Sequence, residues 1–157
     1  WRPGDAVGTV LRANAIHVTT NDLDPRMMAD SHLDASSDAF RLAFSEDTRP
    51  PDWIDWIVTS PPYSDVLGIL KQALRISRVG VAFKLRLGFL EPTQSRGSWF
   101  RENPPDTVVV LPRATYRGRK CCSVEAWFVW YKEHTMNAVV GHLFFLPCRR
   151  VSVCGAH

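Results

Sequence analysis

The sequence contains no apolar run that approaches the ~20 residues a helix needs to cross a membrane, and no signal peptide opens it. We therefore expect no membrane partner and an intracellular location, cytoplasmic or nuclear. No internal repeat is visible either, so a repeat architecture is not expected. What the chain lacks leaves a single globular domain as the first interpretation.

Metal-ligand spacing is also missing. None of the four cysteines has Cys-x-x-Cys spacing, and the adjacent pair Cys121 and Cys122 is poorly placed for a zinc site. The five histidines show no ligand spacing with one another or with the cysteines. We predict no metal, and we interpret the cysteines as reduced, structural thiols, which agrees with an intracellular location.

Size and charge are those of one compact domain. The chain has 157 residues, 45% of them hydrophobic, which is enough for a proper core. Its formal net charge of +3 is compatible with a polyanionic partner without requiring one. From Thr135 onward the charge pattern and turn signals fade. We predict a domain over residues 1–134 and a C-terminal extension over 135–157.

Hydrophobic periodicity predicts strands alternating with helices. The strands are expected at 16–20, 53–59, 79–87, 107–111 and 124–131, and the helices at 6–13, 38–44, 65–77 and 94–101. This alternation is typical of an α/β fold with a mostly parallel sheet. The short connection between the last two strands predicts an antiparallel closing pair.

The most informative stretch is Trp56–Tyr63. A β-branched apolar run predicts a buried strand, and Pro61 and Pro62 end it abruptly after Ser60. In an open α/β sheet, ligands bind at this carboxyl end of the strands. The Ser60 hydroxyl and a prolyl carbonyl can accept hydrogen bonds from a planar amine, and the Tyr63 ring can stack on a base.

A second group of residues suits a nucleotide-type cofactor. Gly4 and Gly8 open a predicted helix, where glycine permits close approach of a ligand. A carboxylate for ribose hydroxyls is expected ~20 residues further on, and Asp22 or Asp24 lies near that distance. Without the Ser60–Tyr63 stretch, an ordinary loop before a helix would be the better interpretation of these glycines.

Ser60-Pro61-Pro62-Tyr63 resembles the catalytic (Asp/Asn/Ser)-Pro-Pro-(Tyr/Phe/Trp) tetrapeptide of S-adenosylmethionine-dependent methyltransferases that modify amino groups of adenine or cytosine in DNA. The alternative is a Pro-Pro turn after a core strand, with a packed tyrosine. Residues 83–92 and 126–130 look most similar to phage-type DNA adenine methyltransferases. The resemblance covers most of residues 4–132.

The resemblance implies a Rossmann-like methyltransferase sheet whose first strand would lie before Trp1, so we expect that strand to be missing. It implies S-adenosylmethionine as the cofactor, with Asp22 on the ribose, Asp24 capping the turn before Pro25, and Asp34 on the adenine amino group. Asp34 could instead be a surface residue of a polar loop. The cofactor-binding residues expected on this basis are Gly4, Asp5, Gly8, Asp22 and Asp34.

The resemblance also implies that the catalytic residues are Ser60, Pro61, Pro62 and Tyr63, and that DNA is the partner. A base in duplex DNA must be flipped out to react, at a cost of about a few kcal/mol, and Tyr63 would replace part of its stacking. A serine in the first position is commoner among cytosine enzymes, whereas the rest of the resemblance favours adenine. The target base therefore stays open.

Phosphate contacts are expected from a basic loop. Four cations fall within eight positions that contain no acid: Arg113, Arg117, Arg119 and Lys120. The alternative is a solvated hairpin loop. Arg96 and Arg101, near Trp99, form a weaker second candidate, and Lys84 and Arg86 could face either a pocket or solvent.

Two other functions fit the same residues. The same tetrapeptide serves methylation of a glutamine side-chain amide in proteins or of an RNA base, since each offers a planar NH₂. A chain without the first strand could also be a catalytically inactive remnant that binds nucleic acid through its basic loop.

Overall fold

The computed structural model describes residues 6–44, 54–91, 93–113, 115–116, 119–120, 123–132 and 142–145. The helices are α1 (Ala6–Ala13), α2 (Asp38–Ala43), α3 (Val66–Ile76) and α4 (Gln94–Glu102), with a short 3₁₀ helix at Leu87–Leu90. The strands are β1 (Trp56–Thr59), β2 (Gly80–Arg86), β3 (Thr107–Val110), β4 (Thr115–Tyr116), β5 (Arg119–Lys120), β6 (Glu125–Tyr131) and β7 (His142–Phe145). Strands and helices are mixed along the chain, as predicted.

Two compact units divide the described residues. The first lies within Trp1–Phe83 and Trp130–His134, and the second within Lys84–Val129 and Thr135–His157. Strands β2 and β6 contribute residues to both. The predicted boundary between residues 134 and 135 stays a prediction.

In the first unit, β1 and β2 pair in parallel, with Trp56 opposite Gly80 and Thr59 opposite Phe83. The connecting helix α3 explains this geometry, because parallel neighbours need a crossover. Its apolar face is buried, and Leu70 is fully inaccessible. Asp65 caps the helix by accepting a hydrogen bond from Gly68 N at 3.2 Å.

The tightest packing in this unit surrounds Gly80. A Cβ atom at that position would lie 2.5 Å from the Trp130 carbonyl oxygen and 2.8 Å from the Trp56 ring. The Trp56 ring in turn meets Tyr131 edge to face, with centroids 5.4 Å apart. Gly80 therefore allows the start of β2 to approach two tryptophans.

In the second unit, β3 pairs with β6 antiparallel and with β7 in parallel. The first pairing confirms the predicted antiparallel closing pair. Phe89 and Phe128 pack edge to face in its core, 6.0 Å apart. Strands β4 and β5 form a separate antiparallel hairpin, with Thr115 opposite Lys120.

One sequence prediction was wrong. Residues 16–20 form no strand; the chain there is irregular, and only the single bridge between Asn21 and Ser31 follows. A strand is stabilised by its neighbours, and within the described residues no strand pairs with this stretch; only its last residue, Thr20, accepts backbone hydrogen bonds, from Asp30 N and Ser31 N. Ile16 accordingly remains half exposed.

Two further details were not predicted. Helix α2 begins at Asp38 and is capped by Ser37, whose Oγ accepts from Phe40 N at 3.1 Å. Within the C-terminal extension, His142–Phe145 forms β7. Within the described ranges no helix is long and apolar enough to span a membrane.

Candidate functional site

A cavity of about 410 Å³ lies within the first unit. Two stretches of chain line most of it. The loop segment, residues 19–35, contains no helix and no strand beyond the single bridge. The strand segment, residues 54–83, contains β1, α3 and the start of β2. The lining residues are Thr19, Thr20, Asn21, Asp22, Leu23, Leu33, Asp34 and Ala35 from the first, Ile54, Trp56–Pro62, Ile69 and Ala73 from the second, and Phe40 and Phe44 around α2.

The Pro-Pro turn stands at the carboxyl end of β1. Ser60 and Pro62 are exposed at the cavity, whereas Pro61 is buried. Tyr63 is not among the lining residues, but it follows Pro62 directly and is 51% exposed. The turn therefore places a hydroxyl and a rigid pair of prolines at the cavity, and an exposed aromatic residue follows them directly in the chain.

Asp22 lies on the facing loop segment and lines the cavity. Its Oδ1 accepts a hydrogen bond from Asp24 N at 2.9 Å, and its backbone N–H donates to Ser31 O at 3.1 Å. The carbonyl of Asp22 is 2.8 Å from His32 Nδ1. Within the described residues Oδ2 has no donor, so it can accept from a ligand.

Asp24 is engaged elsewhere. Its carboxylate accepts hydrogen bonds from Arg26 Nε at 2.9 Å and Nη2 at 2.7 Å, and it also accepts from the Arg26 backbone N–H at 3.0 Å. The bonds to Arg26 hold the pKa of Asp24 below its usual range. Asp24 does not line the cavity, and its bonds reach across Pro25 to Arg26.

Asp34 also lines the cavity, as part of the loop segment. Its Oδ1 accepts from Ser36 N at 2.9 Å and from Ser36 Oγ at 2.8 Å. These hydrogen bonds, the backbone one foremost, lower the pKa of Asp34. The carboxylate is thus fixed and ionised near neutral pH, with Oδ2 unused by the described residues.

Only part of the predicted glycine loop lies within the described residues. Gly4 and Asp5 lie outside the described residues. Gly8 is buried inside α1 and does not line the cavity. The cavity therefore brings together Asp22, Asp34 and Ser60–Pro62, but not Gly8.

Three of the four cations of the predicted basic loop lie within the described residues. Arg113 is exposed, and Arg117 lies outside the described residues. Arg119 and Lys120 form β5 of the hairpin, which fits the hairpin alternative as well as a phosphate-binding role.

The weaker basic candidates have local partners. Arg96 stacks over the Phe89 ring at 5.2 Å and donates to Thr93 Oγ1 at 3.1 Å. Lys84 pairs with Glu125 at 2.7 Å. These contacts give both side chains a structural role.

Sequence reasoning missed Asn21, Leu33 and Phe40, which also line the cavity. Phe40 could have been found from the periodicity of α2. Asn21 gave no signal of its own, because its importance depends on the fold of a loop ten residues further along.

The described charged side chains that line the cavity are all acidic. Two of its lining residues are carboxylates, and among the described lining residues there is no lysine, arginine or histidine. Its volume falls in the range of about 300–1,000 Å³ for small-molecule sites. Such a site can accept hydrogen bonds from the hydroxyl and amino groups of a ligand, and it favours a ligand without phosphates. Within the described part of the chain, no group of three or more histidine, cysteine or acidic side chains could hold a metal.

No family model matches the chain, and a search of curated proteins found no match either. The chain is similar to a solved structure from Listeria monocytogenes, of a protein assigned provisionally to the class I S-adenosylmethionine-dependent methyltransferases. The TM-score is 0.53 at 11% identity, over 88% of this chain and 52% of that one. This chain thus spans about half the length of that structure. The likeness shows a shared mixed α/β fold.

Proposed function

We propose that the cavity binds S-adenosylmethionine, that the sheet is the Rossmann-like sheet of a methyltransferase, and that the chain carries the site of an amino-methyltransferase acting on adenine or cytosine in DNA. One observation carries the proposal. The cavity joins Ser60–Pro62 to Asp22 and Asp34, five residues that the sequence had linked to one cofactor and one amine. The fold shared with a class I methyltransferase structure supports it.

The charges of the lining residues support this cofactor over a dinucleotide. Two carboxylates and no described basic side chain suit a cationic ligand and disfavour a pyrophosphate. Asp22 Oδ2 and Asp34 Oδ2 can accept from ribose hydroxyls and from an adenine amino group. Apolar neighbours such as Leu23 and Leu33 offer surface to an adenine ring.

The chemistry then rests on the Pro-Pro turn. S-adenosylmethionine, when bound, supplies a sulfonium methyl group for direct displacement. Ser60 Oγ and the Pro61 carbonyl would accept hydrogen bonds from the target NH₂, which draws the lone pair back toward the nitrogen. The Tyr63 ring would stack on the base and hold it in line.

Methyl transfer from labelled S-adenosylmethionine to double-stranded DNA tests the proposal. We expect incorporation by the unsubstituted chain and a loss of at least about a hundredfold in the Ser60→Ala/Tyr63→Ala variant, as for removal of transition-state hydrogen bonds. Both side chains are exposed, so the fold should persist, as circular dichroism would show. Full activity of the double variant would overturn the proposed mechanism.

The acceptor is settled by parallel assays on RNA and on protein. Incorporation into either of these but not into DNA would retain the cofactor site and replace DNA as the substrate. A folded chain that binds DNA with a steep salt dependence but transfers no methyl group would instead be an inactive remnant.

A further inference from the structure

The segments that carry Asp22 and Asp34 run side by side for only a short distance. The bridge between Asn21 and Ser31 is parallel. Ser31 N donates to Thr20 O at 3.1 Å, and Asp22 N donates to Ser31 O at 3.1 Å. Backbone pairing between the two segments ends there, two residues before Leu33 and three before Asp34.

The side chain of Asn21 continues this pairing. Its Nδ2 donates to Leu33 O at 2.9 Å, and its Oδ1 accepts from Leu33 N at 2.9 Å. The amide thus makes the two hydrogen bonds that a paired backbone residue would make. Oδ1 also accepts from Ser31 Oγ at 2.8 Å, and Asn21 is itself half-buried.

The position of this amide links the two acids. Asn21 precedes Asp22 directly, and Leu33 precedes Asp34 directly. A donor and an acceptor on one rigid side chain therefore connect the Asn21–Asp22 pair to the Leu33–Asp34 pair within the loop segment. An aspartate at this position would keep the acceptor but lose the donor to Leu33 O.

We propose that Asn21 is a positioning residue, which sets the spacing between the carboxylates of Asp22 and Asp34 so that both reach one cofactor molecule. This inference rests on the proposed cofactor site. Asn21 acts through the loop and not through the reacting atoms. Its substitution should therefore loosen the link between Asn21 and Leu33, which precedes Asp34, and leave the hydrophobic core intact.

Amide hydrogen exchange on the ligand-free chain is the first test. In Asn21→Ala the Leu33 N–H should exchange about tenfold faster, the equivalent of one lost hydrogen bond, whereas Asn21→Asp keeps the acceptor oxygen and should speed that exchange by less than about threefold. The Ile69 N–H in α3 should be unchanged. Asn14→Ala is the matched control, because Asn14 donates to Val10 O at 2.8 Å at the end of α1. Unchanged exchange at Leu33 in Asn21→Ala would overturn the inference whether or not the cofactor binds.

Calorimetry with S-adenosylmethionine distinguishes positioning from general stability. We expect Asp34→Asn to weaken binding about tenfold in the unsubstituted chain, but less than about threefold when Asn21 is already alanine, because the carboxylate is then no longer held in place. A full effect of Asp34→Asn in both backgrounds would overturn the positioning role. If the unsubstituted chain binds no cofactor, the proposed function fails and the cofactor role of Asn21 fails with it, whereas the link to Leu33 would still appear in the exchange rates.

Discussion

The strand segment and the loop segment face the same cavity, but only the strand segment has a hydrophobic interior. Leu70, Val81 and Phe83 are fully inaccessible there. In the loop segment no residue is buried, and the chain is held by the hydrogen bonds of the Asn21 amide and by backbone N–H groups that donate to aspartate carboxylates. Burial fixes one side of the site and polar contacts fix the other.

This difference has a consequence for energetics. Hydrophobic burial stabilises a fold by kilocalories per large side chain, whereas an intramolecular hydrogen bond contributes about 0.5–1.5 kcal/mol net. Substitutions in the strand segment should therefore change the stability of the domain. Substitutions in the loop segment should mainly change the shape of the site.

The largest effect is expected at Phe83. This side chain is fully inaccessible and meets Trp130 edge to face at 6.4 Å. Phe83→Ala should lower the free energy of unfolding by about 3–5 kcal/mol, as measured by urea denaturation. Leu23→Ala is the matched control from the loop segment, where the side chain is 65% exposed. It should change the same quantity by less than about 0.5 kcal/mol, and equal losses in the two variants would remove the contrast.

A smaller effect is expected at Gly80. Its missing Cβ leaves room for the Trp130 carbonyl and the Trp56 ring. Gly80→Ala should destabilise the domain by about 1–3 kcal/mol through overpacking. For Gly88→Ala the new Cβ would come no closer than 3.5 Å to Glu91. That control should be close to neutral, and a thermal denaturation series that ranks the two in the opposite order would contradict the packing described for β2.

The mildest test uses pH. Hydrogen bonds lower the pKa of Asp24, Asp30 and Asp34, all in the loop segment. Because their folded pKa values lie below the ordinary 3.8, ionisation stabilises the folded loop at every pH above that value. This stabilisation is lost as pH falls through the lower folded values.

Cofactor affinity should accordingly be flat from about pH 8 to pH 5 as far as these groups are concerned, and should fall only below about pH 4. A loss of affinity centred near pH 6 would contradict the assignment of an ionised Asp34 to binding.

The strand segment was largely predictable from sequence, and the loop segment was not. Helical spacing predicted residues 65–77, and the structure has α3 at Val66–Ile76 with Asp65 and Ser77 as its caps. Here the spacing of the apolar residues in the sequence and their burial in the structure both reflect the hydrophobic effect. The predicted strand at residues 16–20 was wrong because its apolar residues have no partner strand among the described residues.

The candidate site shows the same division. The Pro-Pro turn was visible because proline and an apolar run constrain the backbone locally. The distinction between Asp22 and Asp24 came only from a family resemblance, and the structure places just the first of them at the cavity. The role of Asn21 could not be predicted from the sequence, because its two hydrogen bonds to Leu33 span twelve residues and depend on a loop that no periodic pattern predicts.

Isothermal calorimetry of S-adenosylmethionine binding to the unsubstituted chain, to Asp22→Asn and to Asp24→Asn tests the central claim most directly. The two aspartates are two residues apart, but only Asp22 lines the cavity. We expect saturable binding that weakens by at least about tenfold in Asp22→Asn, the loss of one hydrogen bond to a charged group, and that is retained in Asp24→Asn. No saturable binding by the folded chain, or an equal loss in both variants, would contradict the assignment of this cavity as a cofactor site.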